Sequence, residues 1–96
     1  MYEIMFAPEA RDDFRALRAY DRATVRDAVN RHLKRHAASV SRTRIKRLRG
    51  LVRPQYRLRV GEFRVFYDVR GGEVLVLAVV SKAGVEDWLQ KQGVPL

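Results

Sequence analysis

Residues 56 to 69 leave the chain little choice of local structure. Tyr56, Leu58 and Val60 alternate with Arg57 and Arg59, and beyond Gly61-Glu62 the residues Phe63, Val65, Tyr67 and Val69 alternate with Arg64, Phe66 and Asp68. A repeat of two sends successive side chains to opposite faces of an extended strand. A two-residue loop that begins with glycine is a connection that tight hairpins favour. The pattern predicts a hairpin in which Val60 faces Phe63, Arg59 faces Arg64 and Arg57 faces Phe66. Gly71-Gly72 sets up a second tight turn into a strand over Glu73 to Val80, which is apolar on both faces.

A sheet with one apolar face needs a cover, and the upstream half supplies it. The apolar run Tyr2 to Ala7 reads as a further strand, and Pro8 opens a helix because the first turn tolerates its missing N–H. Ala10, Phe14 and Leu17 give that helix a buried stripe, while Glu9, Asp12 and Asp13 sit near its positive end. Asp21 reads as the N-cap of a second helix running to about Ala37, with Val25, Ala28, Val29 and Leu33 on one face. The short connection makes the two helices antiparallel.

Ala38 to Arg44 reads as an exposed connection, Ile45 to Gly50 as a strand, and Val85 onward as a short helix carrying Trp88 and Leu89 before Gly93 and Pro95. At 96 residues the chain fits one domain over 1–96. The predicted class is α+β: two N-terminal antiparallel helices on one face of a mainly antiparallel four- or five-stranded sheet, with a short C-terminal helix. The expected core row is Tyr56, Leu58, Val60, Phe63, Val65, Tyr67 and Val69 with Val74, Val76 and Ala78. Phe66, Leu75, Leu77 and Val79 are expected on the opposite face.

Charge gives that opposite face its character. Between Arg31 and Arg64 lie twelve Lys or Arg and one acid, Glu62, so this stretch carries +11 while the remainder carries −2. A concentrated positive field is the footprint of a polyanion partner. Placing Arg59 directly opposite Arg64 destabilises a sheet, and a phosphate between them reverses the sign. Guanidiniums fork onto phosphates and aromatic rings stack on bases, a mixture that suits single-stranded RNA. The bases do not alternate with a wide Leu or Trp face on one helix, so no membrane partner is expected. The chain has no cysteine and shows no signal-peptide pattern, which fits a cytoplasmic protein.

Other motifs carry less. His32 and His36 stand four apart without a third ligand, and no metal or cofactor is expected. Asp12 and Asp13 are adjacent and cannot serve one site together; helix electrostatics accounts for them. Gly71-Gly72 is explained by turn geometry, and Ser81-Lys82 ends the last strand, where side chains often enter a site.

Taken together, Arg47-Leu48-Arg49-Gly50, Tyr56-Arg57-Leu58-Arg59, Phe63-Arg64-Val65-Phe66-Tyr67 and the strand leading to Ser81-Lys82 resemble the RelE/ParE superfamily of bacterial toxins. The similarity spans nearly the whole chain. It implies the toxin of a toxin–antitoxin pair. In the RelE-like branch it implies metal-independent cleavage of messenger RNA on the ribosome, by attack of a 2′-hydroxyl on its own phosphate. Arg57, Arg59 and Arg64 then match positions surrounding the scissile phosphate, and Lys82 stands in as a donor. Arg44, Lys46, Arg47, Arg49 and Arg53 extend the RNA surface, with Phe66 and Trp88 as stacking platforms. Arg57 and Arg59 replace the branch's usual lysines, while Ala83 and Leu89 stand near its arginine and tyrosine.

Arginine stays protonated, so these replacements remove a tunable base and leave positioning and electrostatics. The ParE-like alternative is a protein-binding inhibitor of DNA gyrase; a third reading is an RNA-binding relative that does not cut. An antitoxin partner is implied by the resemblance. It also follows from Leu75, Leu77, Val79 and Phe66, which one short helix cannot hide.

Overall fold

The central hairpin forms in the predicted register. Strand β4 (Tyr56–Val60) pairs antiparallel with β5 (Phe63–Arg70), and Val60 meets Phe63, Arg59 meets Arg64 and Arg57 meets Phe66. Gly61 turns the chain at φ 55°, a left-handed conformation that glycine enters without a Cβ clash. The computed structural model describes residues 1–96. Around the hairpin it arranges a five-stranded sheet in the order β1-β6-β5-β4-β2, where β1 is Glu3–Phe6, β2 is Ile45–Arg47 and β6 is Glu73–Ser81. β1 runs parallel to β6, and the other pairings are antiparallel.

Helices α1 (Pro8–Ala16) and α2 (Ala19–His36) complete the core. Ala10, Val25, Val29, Leu33 and Ala37 pack with Leu58, Val60, Val65, Tyr67, Val74 and Val76. Arg22 explains the tight corner between the helices. Its guanidinium donates back to the carbonyls of Leu17 at 2.7 Å, Arg15 at 3.3 Å and Phe14 at 3.4 Å, satisfying the end of α1. α2 accordingly starts two residues before the expected Asp21 cap, and Asp21 lies in its first turn, where negative charge still favours the helix.

The core contains one polar anchor. The Tyr67 hydroxyl donates to the Ala37 carbonyl at 2.7 Å, and both residues are fully buried. Burial, with Tyr56 and Tyr2 nearby, pushes the phenol well above its ordinary pKa. Tyr67→Phe should cost about 1–3 kcal/mol in urea unfolding, because the carbonyl loses its donor without gaining water. Unchanged stability would mean that water reaches Ala37.

Between β5 and β6 the register shifts: Phe66 pairs with Ala78 and Tyr67 with Val76, which leaves Leu77 as an extra residue. One extra residue reverses the alternation beyond it. Val79, expected on the open face, therefore joins the core at 7% exposure, and Ala78, expected in the core row, lies beside Phe66 on the open face.

β1 ends at Phe6, so the edge of β6 past Val76 meets α1 instead of a strand, and Val79 donates its N–H to Asp13 Oδ2 at 3.0 Å. Burial, partly countered by that N–H and reinforced by Asp12 and Glu9, raises the Asp13 pKa above 3.8. The folded chain thus holds this proton more tightly than the unfolded chain, and the contribution to stability falls as pH rises through the interval above 3.8. Asp13→Asn keeps an acceptor for Val79 and should flatten the pH dependence of urea unfolding there. A profile identical to that of the parent would refute this.

The strand expected over Ile45 to Gly50 stops at Arg47. Gly50, at φ 76°, redirects the chain, and β3 (Leu51–Arg53) leaves the main sheet to pair with β7 (Val94–Pro95) in a two-stranded ribbon. Gly93 and Pro95, expected only to end the chain, thus enter or flank a strand. Before it, a 3₁₀ turn at Lys82–Gly84 leads into α3 (Val85–Gln92), whose Trp88 lies over the open face of the sheet at Phe66.

Candidate nucleic-acid interface

The open face carries a lattice of cations. Register places Lys46 of β2 beside Arg57, and the bond from Arg59 N–H to the Arg44 carbonyl (2.8 Å) continues that pairing one step beyond the strand. One cross-strand row is therefore Arg44, Arg59, Arg64; the next is Lys46, Arg57, Phe66. Neighbours across a row are about 5 Å apart at the backbone, and the two rows about 7 Å, from strand geometry. Two edge residues outside the hairpin thus extend the predicted opposed pair.

Arg57, Arg59 and Arg64 sit in different environments. Arg64 is 8% exposed, and its Nη1 donates to the carbonyls of Gly61 at 2.8 Å and Phe63 at 2.9 Å, so the hairpin holds the guanidinium in place. Arg57 is half-buried, and its Nε is a buried polar atom without a hydrogen-bond partner. Burial first, then the charges of Arg64 and Arg59, push the Arg57 pKa below its ordinary value, though arginine remains protonated. Arg59 is exposed. The ion pairs of the molecule are Arg15–Asp12, Arg53–Asp68 and Lys91–Asp87, and none involves Arg57, Arg59 or Arg64. An oxyanion at the lattice would supply the counter-charge the chain withholds.

Several expected contacts lie elsewhere. Phe66 is fully buried and stacked on Trp88, with ring centroids 4.8 Å apart and planes 3° from parallel, so Phe66 has no face open to a base, while Trp88 is half-buried. Arg47 pairs with Tyr56, on the opposite face from Arg57; its guanidinium lies 5.1 Å from that ring and donates to the Gln55 carbonyl at 2.9 Å. Arg53 binds Asp68 at 2.7 Å, at the end of the open face away from the hairpin loop. Arg49 is exposed in the bend after β2, outside the lattice.

Lys82 has an exposed side chain, and its N–H binds the Glu62 carbonyl at 2.7 Å, which brings its backbone to the hairpin tip. No three His, Asp or Glu side chains gather as a metal site, and His32 and His36 lie one turn apart on α2. The expected apolar strip is also smaller than the alternation implied. Phe66 and Val79 are buried, and Leu75 and Leu77 half-buried. Sequence reading missed Thr43, which borders Arg44 and Arg59 in a small concavity with Gly61; no periodic pattern marks it.

The helix-backed sheet is a fold that recurs in chains of solved toxin–antitoxin complexes. Residues 4–85 match the model of the ParE toxin of the type II toxin–antitoxin system parDE, and the chain belongs to that family. Its fold is similar to a chain of the RelB–RelE antitoxin–toxin complex from Methanococcus jannaschii, with a TM-score of 0.68 and 19% identity over 88% of this chain and 96% of that one. It is also similar to a chain of the YoeB–YefM complex from Staphylococcus aureus, with a TM-score of 0.60 and 19% identity over 82% and 94%. A heterotetrameric YoeB–YefM toxin–antitoxin complex from the same organism gives 0.59 and 20%, over 81% and 93%. No curated protein matches the sequence. No helix is long and apolar enough to cross a membrane.

Proposed function

We propose that this toxin acts in the cytoplasm on messenger RNA held by the ribosome and cuts it by transesterification. The reading rests on the lattice of Arg44, Arg59, Arg64, Lys46 and Arg57, whose hairpin arginines lack a carboxylate partner. In the reaction the 2′-oxygen forms a bond to the adjacent phosphorus, the P–O5′ bond breaks, and a 2′,3′-cyclic phosphate and a 5′-hydroxyl result. Charge accumulates on the phosphoryl oxygens. Arg57 and Arg59 stabilise it there, while Arg64, fixed by two carbonyls, holds the positive field in place.

The lattice holds neither a carboxylate nor a histidine to take or give the proton, so the 2′-hydroxyl proton leaves to water and the 5′-oxygen takes one from water. Catalysis then comes from orientation and preorganised charge, and loss of one such donor typically costs a factor of about 10²–10³. Brief expression without a partner should yield new 5′-hydroxyl ends in cellular messages; intact mRNA would overturn the reading.

The missing proton-transfer group and the match to the ParE family favour one alternative, in which the same face grips DNA gyrase. DNA damage signalling with uncut messages, and inhibition of purified gyrase, would establish it.

As the partner we propose a cognate antitoxin, in keeping with the toxin–antitoxin complexes of similar fold. An apolar groove of about 700 Å³ along β1, formed by Met5, Phe6, Phe14 and Leu75 and rimmed by Arg11, Arg15 and Arg26, fits an amphipathic acidic segment. Co-expression with such a partner should abolish toxicity and yield a stable complex.

A further inference from the structure

We propose that Thr43, Arg44 and Arg59 form a second oxyanion site, which holds a phosphodiester next to the scissile one and shares Arg59 with it. The proposal rests on the RNA reading and adds a subsite to it. These residues and Gly61 line a concavity of about 250 Å³ without any apolar side chain. Polar lining in a small hollow is the opposite of what a peptide or a drug-like ligand needs. Two arginines and a threonine border it, and the guanidinium and hydroxyl donors they carry suit a tetrahedral oxyanion.

The backbone beneath the hollow is held from two sides. Ser41 Oγ accepts from the N–H groups of Arg44 and Ile45, each at 3.0 Å, and Ser41 N–H donates to the Ile45 carbonyl at 2.9 Å. The bond from Arg59 N–H to the Arg44 carbonyl then ties this turn to β4. Gly61, at the tip, adds no side chain to fill the opening.

Charge reinforces the geometry. Neither Arg44 nor Arg59 takes part in an ion pair. Arg44 has a histidine for a neighbour on its helix side; after burial, Arg44 is the next cause that lowers the pKa of His32. Along the row Arg44, Arg59, Arg64 the hollow lies outward from the central phosphate position, toward the β2 edge of the sheet. A flexible strand whose scissile phosphate sits at Arg57 and Arg59 can lay the next along that row toward Arg44, with Arg59 shared between them.

Two measurements on the full chain test this. Inorganic phosphate titrated into labelled protein should shift the amide resonances of Thr43, Arg44 and Gly61, and Arg44→Gln and Thr43→Val should each weaken that response. Arg57→Gln should leave it in place. Absence of these shifts, or equal shifts in the Arg44→Gln protein, overturns the site.

In the second measurement, a short single-stranded RNA is bound across a range of salt. Arg44→Gln should weaken binding about tenfold and reduce the salt slope by about one contact. RNA bound with an unchanged slope would remove the subsite and leave the RNA reading intact. Saturable phosphate binding at Thr43 and Arg44 without RNA binding would keep the anion site and remove the RNA reading.

Discussion

Arg59→Gln is expected to make the folded protein more stable and the toxin weaker. Arg59 stands directly across from Arg64 and within the field of Arg57, with no acid of the chain in compensation. Like charges opposed across a strand pair cost up to about 1 kcal/mol, so neutralising one should raise the melting temperature by a few degrees in a domain of this size. The gain should shrink in about 1 M salt, where the Debye length falls to about 3 Å. RNA affinity should fall by about 1–3 kcal/mol, because a desolvated charge-assisted contact is lost. Thermal melts at low and high salt, beside binding of a short RNA, measure both effects. A loss of stability with unchanged RNA binding would make Arg59 a structural residue and undermine the proposed site.

Phe66→Ala carries the largest expected effect on stability. The ring is fully buried, and it stacks on Trp88 from α3 at 4.8 Å. Truncating a buried phenylalanine costs about 3–5 kcal/mol, a large share of the about 5–15 kcal/mol available to a small domain. α3 would lose its aromatic contact with the sheet, and Trp88 emission should move toward that of a solvated indole. Phe66→Leu, which refills most of the volume, should recover part of the loss. If Phe66→Ala instead kept its stability and Trp88 emission but lost RNA binding, the ring would be a base platform after all.

The hairpin was legible because two independent signals agreed: a period of two on each side and a glycine-led loop of two residues. Together they set the register, and the register set Arg59 against Arg64. The bulge at Leu77 was not legible, since Glu73 to Val80 is apolar on both faces and shows no alternation whose reversal can be noticed. The alignment of Arg44 and Lys46 depends on a three-residue strand, too short to display a period. Phe66 and Trp88 lie 22 positions apart, and only the packing of α3 decides that they cover each other. Arg53 looked like its basic neighbours; its pairing with Asp68 depends on β3 leaving the main sheet.

The lattice is small, and its size limits what the protein can do unaided. Exchanging the five cations Arg44, Lys46, Arg57, Arg59 and Arg64 for contacts with a single strand displaces about three to four counterions. So few give only a modest grip on free message at the ionic strength of a cell. If messenger RNA is the substrate as proposed, the toxin meets it best where another machine has already immobilised and straightened the strand, and its potency should track how much message is held that way.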